Sequence, residues 1–120
     1  MSKKLLIVTR RSPYGGSLAR EALDVALAAS IYDQDVGILF MDDGVFQLLK
    51  NQQPDSAYFK NFGANLSALC LYGIEKTYAH KESLQERGLI KENLILDSIQ
   101  ILSNKDVEEL LYQQDHLLSF

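Results

Sequence analysis

Residues 5–8 read Leu-Leu-Ile-Val, a continuous apolar run with the length of a single strand. A strand with one solvent-exposed face alternates polar and apolar residues, whereas an unbroken apolar run indicates a strand that is buried on both faces. A second run of this kind, Val-Gly-Ile-Leu-Phe-Met, occupies residues 36–41. Two such strands predict a parallel sheet with helices packed on each side.

A helical pattern follows the first strand, at residues 17–32. Its polar residues recur at intervals of three and four positions and form one stripe: Ser17, Arg20, Glu21 and Asp24. The same stripe continues as Ala28 and Ile31, so the last two turns are apolar nearly all round. A helix segment without a polar face is expected to be buried on all sides, by other parts of the chain or by another subunit. We interpret its second half as either a subunit interface or a tight contact within the chain.

Strands and helices continue to alternate along the chain. Helical patterns occur at residues 45–49, 58–72 and 83–87 and after a predicted cap at Ser103, and strand patterns occur at residues 76–80, 98–102 and 116–120. Five strands alternating with helices predict an α/β fold, with an open parallel five-stranded sheet and helices on both faces. We expect a single domain over residues 1–120, with the flavodoxin-like strand order 2-1-3-4-5.

Charge and composition exclude several classes of function. The 120 residues carry 12 basic and 16 acidic side chains, which gives a net charge of −4. A phosphate backbone is repelled by such a chain, so we expect no direct binding to nucleic acid. No apolar stretch approaches the about 20 residues that a membrane-spanning helix needs. The chain has one cysteine and therefore no internal disulfide, and we expect a cytoplasmic protein.

Ligands of parallel sheets bind beyond the carboxyl ends of the strands, where four segments of this chain lie: residues 10–16, 42–44, 80–82 and 103–104. Residues 12–17 contain two glycines before a helix, which indicates either an anion-binding loop or a structural turn. Asp42 and Asp43 lack a third oxygen ligand nearby. We interpret them as helix N-terminal charges and expect neither a metal nor a cofactor.

Cys70 is the only possible sulfur carrier in the chain. It falls on the apolar stripe of a predicted helix near that helix's C-terminus, where the dipole disfavours a thiolate. The pattern favours a buried core cysteine over an independent sulfurtransferase nucleophile. His80 lies where a strand meets a helix, a position that suits a base, an anion ligand or a structural role.

Several segments resemble one known family. Residues 42–49 read DDGVFQLL, which closely resembles a signature of the TusC/DsrF type of DsrE-like sulfur-relay proteins. Within that type, the resemblance is strongest to TusC. The Pro-Tyr-Gly at residues 13–15, the LYGIE at 71–75 and the SLQERGL at 83–89 match further segments of that family in the same order. The resemblance covers essentially the whole chain and implies a DsrE-like fold.

The resemblance also implies a function. A TusBCD-type heterohexamer, a dimer of heterotrimers, passes persulfide sulfur from a TusA-like donor to a TusE-like acceptor for 2-thiolation of tRNA wobble uridine. The carrier cysteine belongs to the TusD or DsrE subunit, and the matching position here is His80, eight residues before Gly88. The implied role is therefore a non-catalytic subunit that binds TusB-like and TusD-like partners. The family offers an alternative role, a DsrF-type subunit of a DsrEFH complex in sulfur oxidation.

The expected partner surfaces are the apolar end of the first helix and residues 46–59. The interface candidates within them are Ala28, Ile31, Phe46, Tyr58 and Phe59. An alternative of another class is a stand-alone flavodoxin-like domain that binds a small anion at residues 12–17.

Overall fold

A computed structural model describes residues 3–12, 16–32, 34–49, 69, 73–95 and 98–120. Five strands form one sheet in which every pairing is parallel. They are β1 (Lys4–Thr9), β2 (Asp35–Phe40), β3 (Lys76–His80), β4 (Gln100–Leu102) and β5 (His116–Ser119). The two apolar runs are β1 and β2, which lie side by side along their full lengths.

Helices lie on both faces of this sheet. Among the described residues the α-helices are α1 (Leu18–Ile31), α2 (Lys81–Glu86) and α3 (Asn104–Tyr112), with 3-10 helices at Asp42–Leu48 and Lys91–Asn93. The predicted cap of α3 is confirmed, since the Ser103 hydroxyl accepts the backbone N–H of Asp106 at 3.3 Å. The predicted helix at residues 58–72 lies outside the described residues, apart from Leu69.

Alternate residues of the central strands enter two separate cores. On one face, Ile7 and Phe40 pack in a cluster that includes Leu23 of α1. On the other face, Leu6 and Leu39 pack in a cluster with residues of α3. The continuous apolar runs therefore reflect burial on both sides, as predicted, and each fully buried large side chain contributes about 2 kcal/mol to stability.

The strand order differs from the predicted 2-1-3-4-5. The observed order is β4-β3-β2-β1-β5, so β2 is the central strand and β1 lies between β2 and β5. The apolar runs indicate which strands are interior but carry no information about their neighbours. Helix α3 packs on the face of the sheet opposite α1 and connects β4, at one edge, to β5, at the other edge. This connection places β5 on the side of β1 that does not pair with β2. The predicted class, a parallel sheet with helices on both faces, is confirmed.

The 3-10 helix Asp42–Leu48 is held close to the end of β1. The Thr9 carbonyl accepts the backbone N–H of Met41 at 3.1 Å. A Cβ atom at Gly44 would collide with that same carbonyl group, because the two backbones touch there. Glycine is the residue that permits this approach.

We predict that Gly44→Ala lowers the free energy of unfolding by about 3 kcal/mol, because the added methyl meets rigid backbone. Urea unfolding monitored by circular dichroism measures the change. Gly16→Ala is the matched control, since no described residue beyond its chain neighbours has an atom within 4 Å of a Cβ at that position. Equal stability of the two variants would contradict the packing described.

Candidate functional site

A cleft opens beyond the carboxyl ends of β1, β2 and β5. It has a volume of about 410 Å³ and is lined by Arg10, Arg11, Asp42, Asp43, Ser119 and Phe120. Residues 10–16 and 42–44 were predicted to point here, and Arg10, Arg11, Asp42 and Asp43 of these segments line the cleft. The last two lining residues, Ser119 and Phe120, were missed by sequence reasoning, because the predicted strand order does not place β5 beside β1.

Arginines pair with both carboxylates of the cleft. Arg10 Nε lies 2.8 Å from Asp42 Oδ2, and Arg87 Nη2 lies 3.1 Å from Asp43 Oδ1. Exposed pairs of this kind contribute about 0–1 kcal/mol to stability, so their main effect is to set charge and orientation. Among the described residues no group of three His, Cys, Asp or Glu side chains is arranged to hold a metal ion.

A buried glutamine holds the loop that carries the two cleft arginines. Gln47 is 2% exposed, and its Nε2 donates to Thr9 Oγ1 at 2.8 Å and to the Arg11 carbonyl at 2.7 Å. Burying an amide without partners is costly, so these bonds tie the 3-10 helix to the end of β1. The glutamine of the DDGVFQLL segment thus has a positioning role.

His80 lies at the end of β3, is 8% exposed, and has a partner at each ring nitrogen. Nδ1 is 2.7 Å from Ser83 Oγ, and Nε2 bonds to Asn104 Oδ1. Asn104 Nδ2 in turn donates to Glu82 Oε2 at 2.7 Å. The backbone N–H of Asp42 donates to Ser83 Oγ at 2.9 Å, which connects this network to the cleft.

The partners determine the direction of most bonds in this network. Since the Asn104 amide nitrogen faces Glu82, its oxygen accepts, and His80 Nε2 must carry a proton. Ser83 Oγ accepts from Asp42, and its hydroxyl proton is in position to bond to His80 Nδ1. The Nε2–H tautomer of His80 is compatible with all these groups at once. Neither ring nitrogen is left to act on a substrate.

The same network connects four elements of the fold. It joins the end of β3 to α2, to the start of α3 and to the 3-10 helix at Asp42, a residue with the left-handed backbone angle φ of 50°. Residues 80–82 and 103–104, which were predicted to face the crevice, thus meet each other but do not line the cleft.

The described interface candidates differ in exposure. Ala28 is exposed and Ile31 is 70% exposed, and the neighbouring Tyr32 is 76% exposed. Phe46 is half-buried, with the Arg87 guanidinium 6.0 Å from its ring centroid, which gives it an intramolecular packing role. The remaining candidates, Tyr58 and Phe59, lie outside the described residues, as do Cys70 and residues 13–15 of the predicted anion loop.

No helix in the described part of the chain has both the length and the apolar character needed to cross a bilayer.

Comparison with known proteins gives consistent matches over nearly the full chain. The DsrE/DsrF-like family model matches residues 3–120. A TusC homolog of Pseudomonas aeruginosa is 44% identical over 119 residues, 99% of either chain. The intracellular sulfur oxidation protein DsrF of Allochromatium vinosum is 34% identical over 131 aligned positions, 98% of this chain and 96% of that protein. The crystal structure of the ychN protein from E. coli superimposes with a TM-score of 0.83 at 24% identity over all of both chains, which shows a shared fold.

We predict that His80→Ala lowers the free energy of unfolding by about 2 kcal/mol, because it removes one of the hydrogen bonds of Ser83 and the bond to Asn104 Oδ1 and opens a void. His116→Ala, at an exposed position on β5, is the control and should change stability by less than about 0.5 kcal/mol. Chemical denaturation of both variants measures the difference. A His80 variant as stable as the His116 variant would refute the structural role.

Proposed function

The chain belongs to the DsrE/DsrF-like family, and we propose that it serves as a non-catalytic subunit of a TusBCD-type sulfur-relay complex. The complex passes persulfide sulfur from a TusA-like donor to a TusE-like acceptor, for 2-thiolation of tRNA wobble uridine. Persulfide relay needs a thiolate that is accessible to its partner. This subunit would support that chemistry by binding the subunit that carries the thiolate.

The hydrogen bonding of His80 carries the proposal. The family resemblance aligns this position with the carrier cysteine of the TusD or DsrE subunit, and here it is a buried imidazole with both nitrogens engaged. An imidazole cannot form a persulfide, and its partners leave it no free nitrogen to act as a base. The position has therefore become part of the scaffold in this chain.

The degree of similarity favours the TusC branch over the DsrF branch. Identity is 44% to the TusC homolog and 34% to DsrF. The alignment with DsrF also spans 131 positions, more than the 120 residues of this chain, so DsrF contains insertions relative to it. On this basis we propose tRNA thiolation rather than sulfur oxidation as the end use, and hence action in the cytoplasm.

The surface formed by Ala28, Ile31 and Tyr32, here called the helix-end surface, is the proposed contact with a TusB-like or TusD-like subunit. All three side chains are exposed at the last turn of α1. A group of adjacent, exposed and large apolar side chains is typical of an interaction site. A heterohexamer, as a dimer of heterotrimers, requires some of its subunits to make more than one contact, and residues 46–59 are proposed as a second contact surface of this chain.

A second candidate function rests on the cleft. Arg10 and Arg11 line it together, which favours a small anion as ligand and hence a stand-alone binding domain. The two carboxylates that share the cleft offset this charge, so we rank the subunit role first.

We predict that a tagged chain purified from its own host gives a native mass spectrum of a complex with two other small subunits. Ile31→Ser should weaken the complex at least tenfold, because it removes an apolar anchor. Ile90→Ser, which changes another exposed isoleucine, is the matched control. A monomer or homo-oligomer without partners would overturn the subunit role and favour the cleft as the functional site.

We also predict that Cys70→Ser leaves sulfur transfer intact, since the carrier thiolate belongs to a partner. The readouts are thiolation of tRNA in cells that carry only the variant, and the mass of the chain after exposure to a persulfide donor. Loss of thiolation with an assembled complex, or addition of one sulfur atom at Cys70 of the unmodified chain, would contradict the prediction.

A further inference from the structure

A second concave surface lies at the opposite end of the sheet from the cleft. It has a volume of about 230 Å³, and its lining includes Ser30, Gln34, Asp35, Glu75 and Lys76. These residues surround the amino ends of β2 and β3, and we call the feature the amino-end recess. A water molecule takes up about 30 Å³ in the liquid, so the recess has room for a side chain.

The amino-end recess is continuous with the helix-end surface. Ser30 lines the recess and directly precedes the exposed Ile31. Gln34, another lining residue, donates from Nε2 to the carbonyl of Tyr32 at 3.4 Å. A partner that covers the helix-end surface therefore also covers the mouth of the recess.

The charges around the recess leave it electronegative. Lys76 Nζ lies 2.7 Å from Asp35 Oδ2, so these two charges offset each other. The carboxylate of Glu75 is exposed and makes no ion pair with any described residue. Helix α1 also ends here, and its last turn contains no basic residue, so the partial negative charge of the helix C-terminus is not compensated within α1.

We propose that the amino-end recess binds an arginine side chain of a partner subunit, an inference that rests on the proposed subunit role and specifies its contact. A guanidinium group matches three features in and beside the recess. The carboxylate of Glu75 in the recess can accept its paired N–H groups, the negative end of α1 beside the recess favours its charge, and the exposed Tyr32, next to the lining residue Gln34, offers a ring for stacking. A lysine ammonium satisfies the first two features but stacks less well.

The same charges argue against a second copy of this chain as the occupant. A two-fold contact would place the recess of one copy against the same patch of the other. Two electronegative patches would then face each other, which is unfavourable. A different chain with a basic residue beside an apolar one is complementary both to the recess and to the helix-end surface.

The first test uses the complex purified from the host, in which Glu75→Gln removes the charge and retains the shape. We expect the dissociation constant of the complex to rise about tenfold at low salt, and its dependence on NaCl concentration to become shallower. Glu92→Gln, at another exposed glutamate, is the control and should match the unmodified chain. A complex that forms with unchanged affinity and salt dependence in Glu75→Gln overturns the inference and leaves the subunit role intact.

The second test needs no partner and therefore separates the two proposals. N-acetyl-arginine amide is titrated into the ¹⁵N-labelled full chain and followed by amide chemical shifts. We expect saturable shifts confined to the neighbourhood of Ser30, Tyr32 and Glu75, weaker with the lysine analogue and lost in Glu75→Gln. Absence of localised shifts, or shifts that persist in the variant, overturns the arginine site. Localised shifts in a chain that forms no complex support the site while overturning the relay role.

Discussion

The pairing of β1 with β2, with both faces of each strand buried, is the constraint on which the remaining structure depends. A sheet with two apolar faces needs a cover on each side, so α1 alone is insufficient. Helix α3 supplies the second cover and crosses the sheet from β4 to reach β1. That crossing places β5 beside β1, and the cleft lies where the carboxyl ends of these two strands meet β2.

The most distinctive segment of the chain, DDGVFQLL, has a physical explanation in packing rather than in catalysis. Gly44 permits contact with the Thr9 carbonyl, and Gln47 fills a buried site with two hydrogen bonds to the end of β1. Asp42 receives support from Ser83, which also bonds to His80. These contacts hold one loop in place, which agrees with the proposed role as a subunit.

The sequence allowed prediction of the features that depend on local pattern. The apolar runs of β1 and β2 and the cap at Ser103 follow from spacing and residue type alone, and both are confirmed. The strand order was predicted wrongly because all four residues of β5 are exposed and carry no periodic signal of their neighbour. The partnership of His80 with Asn104 was also missed, since it spans 24 residues and depends on where α3 begins. Likewise, Glu75 attracts attention only after the end of α1 and the start of β3 are known to line one recess.

The position of β5 also has a consequence for the order in which the chain folds. The backbone N–H of Lys4 donates to the Asp115 side chain, a bond between residues 111 positions apart. The other neighbours of the sheet are joined by much shorter connections, so β1 to β4 can pair before β5 joins the sheet. One side of β1 then stays open until residues 116–119 emerge, and a ladder of such long separation forms slowly. During that interval the nascent chain presents an unpaired apolar edge, the state in which a chaperone or an early-binding partner subunit would have the greatest effect.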